Sequence, residues 1–91
     1  MNITKAIHNY ARRRGIELQL EDEQVRFWEI EQDCEWMFSY SIAQCGCLFW
    51  KGNVYLPRDI KEELPAMIGT DKKLKEVLDF IYKEFISKKY F

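Results

Sequence analysis

The sequence predicts an α+β domain: an N-terminal helix, an antiparallel sheet of three to five strands, and a C-terminal helix packed on one sheet face. Three observations predict it. Residues 16–21 alternate apolar and polar with a period of two, residues 71–86 carry an apolar stripe at helical spacing, and a length of 91 residues gives one core and no second domain.

The first helix has Asn2 as its expected cap and Ile3, Ile7, Tyr10 and Ala11 on one face, with Gly15 ending it. Arg12, Arg13 and Arg14 fall in its last turn, where cations oppose the negative end of the helix dipole. The first strand turns Ile16, Leu18 and Leu20 inward, and Glu21-Asp22-Glu23 reads as the turn after it. The second strand, from about Gln24 to Gln32, has apolar residues on both faces: Val25 and Phe27 on one, Trp28 and Ile30 on the other. The expected inward pair is Trp28 and Ile30. A third strand, Cys34 to Ile42, then turns Trp36, Phe38, Tyr40 and Ile42 inward and Glu35 and Met37 outward. Leu48-Phe49-Trp50 and Val54-Tyr55-Leu56 around Lys51-Gly52-Asn53 read as a short hairpin. Pro57 to Leu64 reads as one or two helical turns, stopped by Pro65. Thr70 caps the last helix, whose stripe is Leu74, Val77, Leu78, Ile81, Tyr82, Phe85 and Ile86.

Apolar residues make up 47% of the chain and charged residues 32%, a balance that folds rather than stays disordered. Aromatic residues reach 15%, too many rings for so small an interior, so some are expected at an interface. No apolar run reaches the roughly 20 residues of a membrane helix, and the start has no signal-peptide core, which places the expectation in the cytoplasm. Cys34, Cys45 and Cys47 then read as reduced thiols, with Cys45-Gly46-Cys47 able to oxidise only through a tight ring.

Net charge is −1, but acids cluster in the middle third, where Glu17, Glu21, Asp22, Glu23, Glu29, Glu31, Asp33 and Glu35 face a single base, Arg26. Three thiols and the distant His8 do not make a zinc site, Cys-x-Cys is not the usual knuckle spacing, and no glycine-rich phosphate loop exists. His8 is also the sole ordinary base for a nucleophile, with no motif around it. No cofactor or metal is therefore expected.

The expected functional surface is the outer face of the first three strands, gathering Glu17, Glu21, Phe27, Glu29, Glu31, Glu35 and Met37. Apolar anchors among carboxylates suit a basic protein partner, the anchors forming a buried centre and the acids steering encounter. The expectation is a non-enzymatic protein-binding module, such as a small inhibitor of the anti-defence or immunity type encoded by a virus or mobile element, blocking a basic surface of a larger enzyme. The alternative is a nucleic-acid-binding regulator using Arg12, Arg13 and Arg14, and a small enzyme using carboxylates or a thiol ranks third. Phe80, Tyr90 and Phe91 fall off the main stripe of the last helix and suggest a homodimer.

Overall fold

In the computed structural model, residues 3–32 and 35–90 are described, the side chain of Tyr90 excepted. Helix α1 spans Lys5–Arg12 and is capped by Thr4, whose hydroxyl accepts the Ile7 N–H at 3.3 Å; the expected cap, Asn2, lies outside the described residues. After Gly15, at φ +75°, the chain enters five strands: β1 (Ile16–Glu21), β2 (Gln24–Glu29), β3 (Phe38–Ile42), β4 (Leu48–Asn53) and β5 (Met67–Ile68). They form one antiparallel sheet in the order β1-β2-β3-β4-β5. Between β4 and β5 lies the short helix α2 (Arg58–Lys61). The C-terminal helix α3 (Asp71–Ile81), capped by Thr70, runs on through a π-type turn over Tyr82–Ile86 into α4 (Ser87–Tyr90).

The β1–β2 turn fixes the sheet. Asp22 and Glu23 alone connect the strands, both at positive φ (52° and 58°), the conformation that a two-residue hairpin turn demands. Residues directly opposite each other share a face, so Leu18 lies beside Phe27 and Leu20 beside Val25. That register corrects the expected orientation of β2: Val25 and Phe27 are fully buried, whereas Trp28 is half-buried on the other face and Ile30 is exposed.

Phe27 stacks on Phe38 with ring centroids 4.4 Å apart, and Tyr40 and Trp50 complete an aromatic cluster. Burial raises the Tyr40 hydroxyl pKa, and the hydroxyl donates to the Pro65 carbonyl at 2.6 Å. Ile7 and Ala11 of α1, Ile60 of α2 and Leu74, Val77, Leu78 and Ile81 of α3 join the same core. All helices thus bury their apolar stripes against one face.

Two further strands depart from the expectation. The Lys51-Gly52-Asn53 segment is part of β4, because a register shift between Ser39 and Tyr40 lets the strand run on opposite β3. Val54 to Leu56 is then no strand; the Asn53 side chain instead bonds the Leu56 N–H (2.9 Å) and carbonyl (3.0 Å). β3 begins at Phe38 rather than Cys34, and Cys34 lies outside the described residues. Among the described residues, no helix is long and apolar enough to cross a membrane.

Candidate functional site

With every helix on one side, the opposite face of the sheet is left open. Cross-strand pairing places Glu17 with Trp28 there, then Gln19 with Arg26 and Ser39, then Glu21 with Gln24, Ser41, Phe49 and Met67. Its centre is aromatic and cationic. The Trp28 ring lies 5.9 Å from that of Trp36 at a tilt of 58°, and the Arg26 guanidinium sits over the Trp36 ring at 4.5 Å. The Trp28 indole N–H donates to Gln19 at 3.1 Å, which fixes the ring's edge.

Arg26 is under-used by its own protein. It reaches Glu21 only through a long 3.4 Å contact, and its Nε–H has no partner among the described residues. That Nε–H is buried under the Trp36 ring, so what the guanidinium contributes to the face is its packing on that ring rather than a free donor. On the same face Phe49 and Met67 stand paired at the β4–β5 edge, 43% and 49% exposed. At the other edge, a groove of about 500 Å³ runs along β1, lined by Arg12, Glu17, Gln19, Trp28, Ile30 and Gln32.

The structure separates the residues expected to form one acidic surface. Glu17 and Glu21 are on the open face, but Phe27 and Met37 are fully buried and Glu29 is 1% exposed. Met37 is drawn in because its backbone joins two neighbours: its N–H donates to the Phe27 carbonyl (2.7 Å) and its carbonyl accepts from Val54 (2.9 Å). Glu29 faces inward because it lies opposite Ile16, and there it accepts from the Tyr55 hydroxyl (2.8 Å) and from Lys89 Nζ (3.1 Å). Glu31 and Glu35 are exposed at the end of the sheet, one lining a cavity with Arg13 and Tyr82, the other a cavity with Tyr55 and Lys89.

The arginine triplet is also divided. Arg12 donates twice to Glu17 (2.8 and 3.1 Å), and Arg14 stacks on the Tyr10 ring at 3.5 Å while bonding Asp79 and the Tyr10 carbonyl. Only Arg13 has no ion pair among the described residues. The expected helix-dipole role is therefore supplemented by two side-chain tethers, one to β1 and one to α3. Of the three C-terminal rings, Phe80 packs partly buried against the core; the Tyr90 side chain and Phe91 lie outside the described residues.

No protein-family model matches the chain, and no curated protein or solved structure is significantly similar to it. Function must therefore be reasoned from the site itself.

The hydrogen bonds from Arg12 hold the Glu17 carboxyl below its ordinary pKa of 4.5. A carboxyl whose folded value is depressed contributes stability that is full above its unfolded value and lost as pH falls through the folded one. Arg12→Ala is expected to cost about 1 kcal/mol or less at neutral pH, because the pair is half-exposed, and nothing near pH ~2. Urea unfolding of the two proteins at both pH values checks this.

Proposed function

We propose that this chain is a non-enzymatic protein-binding module that docks through the open face of its sheet. The supporting observation is the Trp28, Trp36 and Arg26 cluster, of two residue types enriched among interface hot spots, gathered on a face that none of the described helices covers. Trp28 and Trp36 form the anchor, Phe49 and Met67 extend the apolar contact, and the β1 groove receives a protruding side chain of the partner.

The partner carries a basic rim. Glu17 borders the centre on one side, and Glu21, Asp22 and Glu23 are exposed at the end of the β1–β2 hairpin. Such acids steer encounter and orient the partner more than they add affinity. A small inhibitor that covers a basic surface of a larger enzyme fits this arrangement. Nucleic-acid binding through the arginine triplet is less well supported, since Arg12 and Arg14 would have to leave existing partners.

The test is a comparison of variants against the proteins and nucleic acids bound in the native host, once each bound species is identified and titrated in pure form. Trp28→Glu and Phe49→Glu are expected to lose about 2 kcal/mol or more of binding, roughly thirtyfold in affinity. Lys72→Glu, on the solvent side of α3, should leave affinity unchanged, and salt should slow wild-type association. Unaltered binding by both face variants, or loss only with Arg13→Ala, would overturn the reading.

A further inference from the structure

The β3–β4 connection holds the chain's two described cysteines one residue apart. It closes tightly: the Ala43 N–H donates to the Cys47 carbonyl and the Gly46 N–H to the Ala43 carbonyl, each at 2.9 Å. Gly46, at φ +89°, supplies the left-handed residue that brings the chain back on itself between the two thiols. Cys45 is exposed at the tip and Cys47 is half-buried, both unpaired in a disulfide. The Cys47 sulfur lies 4.0 Å, an ordinary contact, from where a Cβ on Gly69, just after β5, would stand.

We propose that Cys45 and Cys47 form a reactive dithiol site whose co-substrate is a small-molecule or protein disulfide. Cys45 is the attacking group, because it is the accessible one. Its thiolate attacks one sulfur of the incoming disulfide; that S–S bond breaks, and the released thiolate takes up the proton that Cys45 lost. Cys47 then gives up its proton and attacks the Cys45 sulfur of the mixed disulfide, expelling the second thiol. Two protein thiols are oxidised, and one disulfide is reduced to two thiols.

The division of labour matches the local hydrogen bonding. The Cys47 amide N–H, and after it the Cys47 thiol, bonds the Cys45 sulfur and lowers that thiol below its ordinary range, while the same contact raises Cys47. The closed ring contains only one intervening residue, so the bond is strained and readily reduced again. The site therefore behaves as a reversible thiol–disulfide exchanger rather than as a structural bridge.

The experiment uses oxidised glutathione as the probe, with intact-mass analysis after alkylation of remaining thiols and peptide mapping. A Cys34→Ser background should lose two hydrogens with no glutathione retained, the bridge mapping to Cys45 and Cys47, and wild type should carry the same bridge with no glutathione on either of them. Cys47→Ser should stop at one glutathione on Cys45, and Cys45→Ser should react about tenfold more slowly. The proposal is overturned if wild type keeps glutathione on Cys45 as Cys47→Ser does, if the bridge maps to Cys34, or if neither cysteine reacts.

Discussion

Phe27→Ala is expected to remove a large part of the folding stability of this domain. The ring is fully buried between Leu18 and Phe38, stacked on the latter at 4.4 Å and tilted against Tyr40 at 5.9 Å. Truncating such a ring costs about 3 to 5 kcal/mol, against a total of about 5 to 15 kcal/mol for a native domain. With a urea m-value of about 1 kcal/mol/M for a chain this small, the midpoint should fall by about 3 M, or the folded baseline should vanish. Trp28→Ala, one residue along and on the other face, should cost clearly less, because its ring is already half in water. Equal midpoints for Phe27→Ala and wild type would mean that β2 faces the other way.

That contrast marks where the sequence was legible and where it was not. β1 is readable because its alternation is unbroken, although Leu20 at its far end is exposed, and α3 because its stripe is broad and its Thr70 cap accepts the Lys73 N–H at 3.1 Å as an N-cap should. β2 is not readable alone, since both of its faces are apolar. What decides it is the turn: only two residues, Asp22 and Glu23, separate the strands, so the inward set of β1 dictates the inward set of β2. The signal was present in the count of residues, but obscured in their type. A two-residue turn with positive φ at both positions favours Asn-Gly, and Asp-Glu adopts it here at a conformational cost.

The same logic explains the candidate site. Once Phe27 faces inward, Trp28 must face outward, and it meets Trp36 and Arg26 on the open side. The surfeit of rings led to the expectation of some at an interface; which rings stand on the open face depends on the turn. β5 left no sequence signal because two residues are too few for a period, and β4 was misread because its Gly52 pairs with Ser39 beside the bulged Lys51, where a strand tolerates glycine.

Glu29→Lys is the second substitution expected to destabilise the protein strongly, and it follows from the same reversal of faces. The Glu29 side chain is buried to 1% exposure and ties the sheet to the C-terminal helix through Lys89, with Tyr55 donating to the same oxygen. Replacing it with lysine removes the carboxylate that Lys89 and Tyr55 address, and sets an ammonium at a buried position beside the partly exposed Lys89. Lys89 is about a third exposed, so the pair itself is partly screened; the main cost is the unpaired ammonium placed at the buried Glu29 position, about 3 kcal/mol or more. For a domain of this size the melting temperature should drop by about 12 °C or more. Glu29→Gln keeps an oxygen acceptor for both donors and should lose about 1 to 3 kcal/mol, the worth of charge in those hydrogen bonds. Glu31→Lys and Glu35→Lys, both at exposed positions, should each shift stability by about 0.5 kcal/mol or less. Thermal unfolding of the four variants followed by circular dichroism separates these outcomes. A Glu29→Lys protein that melts with the Glu31 and Glu35 variants would show that the carboxylate lies in solvent, and would return Glu29 to the set of residues available to a partner.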